Sequence, residues 1–221
     1  MVNVQAFENL VSELSPNDVN LVAVSKTKSV EEIKQLYDLG QRDFGENYVQ
    51  ELMEKEKQLP KDIRWHFIGH LQSNKVKLIA PFIYLIQSVD SLKLLKEINK
   101  QAQKNTRTIH CLLQIHIAQE ETKFGLDEQE LHESRNELHE LRNVKVVGLM
   151  GMASLTNDLN KVRGEFKYLN SLYKKINIQY SIFNIQFSIL SMGMTSDYKI
   201  AIEEGSNMVR IGSLIFGERN L

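Results

Sequence analysis

The chain has 221 residues, 42% of them hydrophobic and 25% charged, with 27 Lys and Arg against 28 Asp and Glu. That is the composition of a globular protein with ample material for a core, and a formal net charge of -1 exerts no global pull toward nucleic acid or an anionic membrane. The single cysteine excludes an internal disulfide framework and a multi-cysteine zinc site, and no run of about 20 apolar residues is present to span a bilayer.

Residues 1–14 carry Glu8 and Glu13 and lack a basic leading region, so they read as an extra N-terminal helix and not as a signal peptide. A reducing, cytoplasmic setting is the expectation. Short runs rich in β-branched and aromatic residues follow at 21–24, 42–44, 65–68, 82–86, 112–115, 144–147, 185–190 and 208–211. Helical spacing of apolar residues lies between them, over 30–37 (Val30, Ile33, Leu36), 92–98 (Leu92, Leu94, Leu95, Ile98), 126–141 and 159–172. Cys111 sits in the apolar run Cys111-Leu112-Leu113 and reads as a buried, inert thiol. None of the three prolines lies in a low-complexity stretch, so no linker divides residues 1–221 and one domain is expected. Continuous apolar strands separated by helices indicate parallel strands buried on both faces. Eight such units predict an α/β fold of the (β/α)8 TIM-barrel type, with a doubly wound sheet as the alternative.

In a parallel barrel the chemistry sits just past the C-terminal ends of the strands. Ser25-Lys26-Thr27-Lys28 follows the first. A lysine partly desolvated at the barrel mouth loses pKa and becomes available for Schiff-base chemistry; an ordinary loop lysine is the plainer reading. Gly45-Glu46-Asn47-Tyr48 follows the second strand, with Asn47 and Tyr48 opening a helix beside the mouth. Gly69-His70-Leu71-Gln72-Ser73-Asn74-Lys75 follows the third, where Ser73 or Asn74 serves the site or caps a helix. No histidines stand at metal-ligand spacing, and no metal is expected. Ser191-Met192-Gly193 ends the seventh strand, and Arg210-Ile211-Gly212-Ser213 ends the eighth. These are the places of a barrel's phosphate site, with glycines that let backbone approach an anion and serines that donate to it.

A phosphate grip opposite a reactive lysine suits pyridoxal 5′-phosphate (PLP) or a sugar-phosphate aldolase. Arg210 separates them: an arginine donates to a pyridine nitrogen without protonating it and leaves the ring a weak electron sink. An ion pair of Arg210 with Glu46, Glu203 or Glu204 is the structural alternative.

Ala23-Val24-Ser25-Lys26-Thr27-Lys28, Phe44-Gly45-Glu46-Asn47-Tyr48-Val49-Gln50-Glu51 and Trp65-His66-Phe67-Ile68-Gly69-His70-Leu71-Gln72-Ser73-Asn74-Lys75 resemble the YggS/PROSC family of PLP-binding proteins. Ser88-Val89-Asp90-Ser91, residues 190–197 and residues 209–219 extend the resemblance to the end of the chain. It implies a barrel similar to the N-terminal domain of alanine racemase, without that enzyme's C-terminal β domain. It also implies PLP held as a Schiff base on Lys26, with Asn47 near the cofactor. Ser191, Met192, Gly193, Gly212 and Ser213 would form the phosphate loops, with Arg210 at the pyridine nitrogen. The function implied is intracellular PLP homeostasis by a cofactor carrier or buffer without efficient turnover, by a monomer serving apo PLP-dependent enzymes. A racemase is the alternative; it needs a second base, which Tyr48 or Tyr84 would have to supply. The chain departs from the family pattern at Ile115-His116, over 120–125 and over 148–153, which alters the pocket wall.

Overall fold

The computed structural model describes residues 2–118, 124–133, 135–181 and 186–217. Helix α1 (Val4–Leu14) precedes β1 (Asn20–Val24), and α2 (Val30–Asp38) leads to β2 (Asp43–Glu46). Then come α3 (Val49–Gln58), β3 (Arg64–Phe67), α4 (Val76–Ile79), β4 (Leu85–Val89), α5 (Leu92–Lys104) and β5 (Ile109–Ile115). The chain continues with α6 (Glu128–Glu133), α7 (Arg135–Glu140), β6 (Val144–Gly151), α8 (Leu159–Ser181), β7 (Ile189–Ser191), α9 (Tyr198–Glu203), β8 (Met208–Ile211) and α10 (Ser213–Phe216). The strands pair in parallel in chain order and close between β8 and β1, with Asn20 opposite Met208 and Ala23 opposite Ile211. The TIM barrel and its extra leading helix are therefore as expected.

Alternation within each strand sorts side chains between two apolar regions. Leu21, Ala23, Trp65, Phe67, Val209 and Ile211 join the large layer between sheet and helices. Val22, Leu85, Leu112, Val147, Met150 and Met208 fill the barrel interior.

Five strands differ from the sequence expectation by two residues or more; β5 starts earlier, at Ile109, and β6 runs on to Gly151. β2 runs on through Gly45 and Glu46, so these residues are paired with β3 and do not form a turn beyond it. β4 begins at Leu85 because the apolar residues before it form the turn after α4: the Ile83 amide donates to the Ile79 carbonyl at 2.9 Å, and Ile83 is buried there. β7 is only three residues long; residue 185, included in the expected run, lies outside the described residues. The region 126–141 holds the two short helices α6 and α7, and residue 134 between them is also outside the described residues.

Asp43 opens β2 at the end of the barrel opposite the strand C-termini. It accepts from Arg64 Nε at 2.7 Å, Arg64 Nη2 at 2.5 Å and His66 Nε2 at 2.9 Å. Burial opposes its ionisation, but the Arg64 and His66 hydrogen bonds outweigh it and bring the carboxyl down to about 2. A depressed carboxyl stabilises the fold above its unfolded value near pH 4, and that contribution is lost as pH falls through about 2. Urea titrations between about pH 5 and pH 2 should show Asp43→Asn losing roughly 2 kcal/mol less stability over that window than the parent protein. Parallel acid limbs would show that Asp43 carries no such linkage.

Candidate functional site

A cavity of about 400 Å³ opens at the C-terminal ends of the strands. That is enough for a small phosphorylated ligand. Its polar lining comprises three cations (Lys26, Lys28 and Arg210), three hydroxyls (Thr195, Ser196 and Ser213) and Asn47. Val24, Ile68, Met152 and Met194 supply the apolar wall, with Gly212 and Gly217 between. No carboxylate is among the described residues that line it, so its electrostatics favour an anion.

The loop carrying Lys26 is held from below. Ser25, Glu46 and Lys55 are buried. Lys55 Nζ donates to the Ser25 carbonyl at 2.8 Å, to Glu46 Oε1 at 2.8 Å and to Glu51 Oε1 at 2.6 Å. Ser25 Oγ donates to Glu46 Oε1 at 2.6 Å. The Thr27 amide donates to Glu51 Oε1 at 2.6 Å, and Thr27 adopts φ 65°, a left-handed conformation that β-branched residues avoid. Such strain costs on the order of 1–3 kcal/mol and persists only where its surroundings enforce it. Here Glu51 grips the amide of the strained residue, and Lys55 grips the carbonyl two residues before it. Lys26 lies between these two anchors. Lys28, on the same loop, donates from Nζ to the Phe216 carbonyl at 3.0 Å.

Arg210 is buried. Its Nη1 donates to Ser191 Oγ at 2.6 Å and its Nη2 to the Gly151 carbonyl at 3.0 Å. Burial lowers the guanidinium to about 10 against the opposing pull of the Asp197 carboxylate, so it stays charged at neutral pH. The carboxylates considered as partners are engaged elsewhere: Glu46 with Lys55, and Glu203 and Glu204 with Arg163. Asp197 Oδ1 accepts the Met194 amide at 2.6 Å and closes the loop after β7.

Lys26, Asn47, Arg210, Gly212 and Ser213 thus line one cavity, as the sequence placed them. Ser191, Met192 and Gly193 do not. Ser191 is the last residue of β7, and its hydroxyl points into the barrel beneath Arg210, where it also donates to Gln87 Oε1 at 2.7 Å. Met192 is fully buried in the layer between sheet and helices. At Gly193 (φ 97°) an added Cβ would meet Ala201 Cβ at 2.7 Å, so this glycine fits the loop against α9. The donors facing the cavity after β7 are Thr195 and Ser196, two to three residues further on. A Cβ on Gly212 would press on Val24, 3.1 Å from its carbonyl oxygen, so that glycine also lets β8 pack closely against β1. Neither Tyr48 nor Tyr84 lines the cavity; Tyr84 is 5.6 Å from the His66 ring, centroid to centroid. Ser73 and Asn74 start a short 3-10 turn and cap no helix with their side chains. Residues 120–123 of the divergent 120–125 loop lie outside the described residues.

Asn47 Oδ1 is buried without a hydrogen-bond partner although its residue lines the cavity. A buried acceptor of that kind calls for a donor, which a bound ligand's hydroxyl would supply. With a primary amine, cations and hydroxyls in one lining, the donor set fits a phosphorylated, carbonyl-bearing ligand.

The family model for "Alanine racemase, N-terminal domain" matches residues 3–220. A pyridoxal phosphate homeostasis protein of Pasteurella multocida is 41% identical over 207 residues, covering 91% of this chain and 87% of that one. The human protein of the same name is 40% identical over 227 residues, covering 98% and 82%. Among solved structures, PipY of Synechococcus elongatus with PLP bound superposes with a TM-score of 0.88 at 33% identity, covering 96% of this chain and 99% of that one. With the model matched over nearly the whole length, the chain belongs to the alanine racemase N-terminal domain family.

Proposed function

We propose that this protein binds PLP and acts in intracellular PLP homeostasis, as a carrier or buffer of the cofactor. The observation that carries the reading is one cavity in which Lys26 stands with Arg210, Lys28 and three hydroxyls and, among the described lining residues, with no carboxylate. PLP supplies an aldehyde and an electron-poor pyridine ring. Lys26 is the attachment point for the aldehyde. Thr195, Ser196 and Ser213 hold the phosphate through hydroxyl donors, Arg210 donates to the ring nitrogen, and Asn47 Oδ1 accepts from the ring hydroxyl.

The same lining argues against efficient turnover. General acid-base catalysis works best with groups titrating near neutral pH. The described lining contains no histidine, tyrosine or carboxylate to serve the face opposite Lys26, and a charged arginine at the ring nitrogen weakens the electron sink. The relatives' names, which speak of homeostasis, point the same way. A cytoplasmic monomer that delivers PLP to apo PLP-dependent enzymes fits this reading. No described helix is long and apolar enough to cross a membrane.

Borohydride reduction of the PLP-loaded protein followed by peptide mass spectrometry should put the ligand on the peptide containing Lys26, with Lys26→Ala losing it entirely. Modification of Lys28 or Lys75 in its place would overturn the assignment. Exchange of the Cα proton of L-alanine in deuterated buffer, on the order of 1 per second or faster, would overturn the carrier reading.

A further inference from the structure

The barrel interior is mostly apolar, yet one line of polar groups crosses it from the closed end to Arg210. Asp43 Oδ1 lies 2.9 Å from His66 Nε2, and His66 Nδ1 lies 2.9 Å from Gln87 Nε2. Gln87 Oε1 accepts from Ser191 Oγ at 2.7 Å, and Ser191 Oγ accepts from Arg210 Nη1 at 2.6 Å. His66, Gln87 and Ser191 are each 0% exposed, and Arg210 is 3% exposed.

The two ends fix the direction of every link. A guanidinium only donates, and an ionised carboxylate only accepts. Ser191 therefore receives from Arg210 and gives its own proton to Gln87. Gln87 presents its carbonyl to Ser191 and its amide to His66. His66 carries its proton on Nε2, facing Asp43, and its bare Nδ1 faces Gln87. Reversing any one member leaves two donors or two acceptors face to face in a dry interior, where an unmade hydrogen bond is expensive. Arg210 Nη1 is pinned by this chain and Nη2 by the Gly151 carbonyl, so the guanidinium is presented to the cavity in one orientation.

We propose that His66, Gln87 and Ser191 are positioning residues: a one-way hydrogen-bond chain through the barrel that aims Arg210 at the ring nitrogen of the bound ligand. The proposal rests on the reading of the cavity as a PLP site. Apolar side chains fill the neighbouring inward positions, at Val22, Leu85, Leu112 and Met208, so the interior has no general need of polar groups. His66, Gln87 and Ser191 form one continuous path between these apolar positions, and that path ends on the buried cation of the cavity.

The test compares PLP with an analogue in which carbon replaces the ring nitrogen, titrated into the apo parent protein and into Gln87→Leu and Ser191→Ala. The parent should prefer PLP by about tenfold, the value of one buried charge-assisted hydrogen bond. Both variants should lose about that factor for PLP and almost nothing for the analogue, so that the preference collapses. Ser191→Ala removes a single hydroxyl and guards against a folding failure of Gln87→Leu. Equal weakening for both ligands would mean the chain only holds the barrel together, and unchanged PLP binding would mean Arg210 is oriented without it; either result overturns the proposal. A parent protein that shows no preference would also overturn it, while leaving attachment at Lys26 intact. Failure of the borohydride trap would instead remove the PLP reading itself.

Discussion

Lys55→Met is expected to destabilise the fold by about 3–5 kcal/mol, the cost of leaving a buried ion-pair partner uncompensated. The Lys55 ammonium serves two carboxylates and a carbonyl at once, at 2.6–2.8 Å, with its side chain 5% exposed and that of Glu46 0% exposed. Glu46 is already under stress. Burial raises its pKa against the stabilising charge of Lys55, and its Oε2 has no hydrogen-bond partner. Without the ammonium, Glu46 must take up a proton to remain buried. The second variant, Lys55→Met with Glu46→Gln, removes both charges and should recover much of the loss, because an uncharged pair avoids the desolvation cost. Urea denaturation at pH 7 reads both steps. A single variant within about 1 kcal/mol of the parent would refute the account. The consequence for the site is local: with Lys55 gone, the Ser25 carbonyl loses its clamp, and the strained Thr27 beside Lys26 is held only by Glu51.

The barrel was legible because each apolar strand is bounded by helical spacing, and the two periods do not blur. Boundaries were less so. Phe82 and Ile83 are as apolar as a strand, yet their amides fold back onto the Ile79 carbonyl in the turn after α4, and composition alone cannot separate a buried turn residue such as Ile83 from a buried strand. The cavity lining was legible at Lys26, Asn47, Arg210 and Ser213, all beyond or at the end of a strand. It was misjudged at Ser191, because the last residue of a strand still obeys the in-and-out alternation and here points inward. The two buried networks did leave a trace. Lys55 continues the spacing of Val49 and Leu52 on the core-facing side of α3, where an aliphatic residue belongs. His66 and Gln87 interrupt apolar runs at inward positions of β3 and β4. A polar residue in an apolar register is a signal that something else in the fold must satisfy it, but sequence does not name the partner. Gln87 and Ser191 are 104 residues apart, and only closure of the barrel brings them together.

Gly148→Ala is expected to be the most damaging single methyl in the protein. Gly148 lies in β6 just past an irregularity in the pairing with β5: Cys111 pairs with Val146 and Leu112 with Gly148, which leaves Val147 as the extra residue of a bulge. On its other side Gly148 pairs with Ile189, and an added Cβ would stand 1.8 Å from the Ile189 carbonyl oxygen and 2.7 Å from its carbon. Those atoms are backbone, so no rotamer change relieves the clash. β7 must move, and it is short, with three residues and a single registered pair, Ser191 with Met208, to β8. The expected loss is at least about 3 kcal/mol, the upper range for overpacking, which lowers the melting temperature by roughly 6–12 °C in a chain of this size. Because β7 carries Ser191, Arg210 should lose its seat at the same time, and PLP affinity should fall more than affinity for the carbon-substituted analogue. Gly164→Ala is the matched control. It adds the same methyl inside α8 with no heavy atom within 4 Å, and should stabilise by about 0.5–1 kcal/mol through helix propensity alone. Calorimetry on the two variants would show opposite signs. Gly148→Ala melting with the parent protein would mean that β7 packs less closely on β6 than the structure has it.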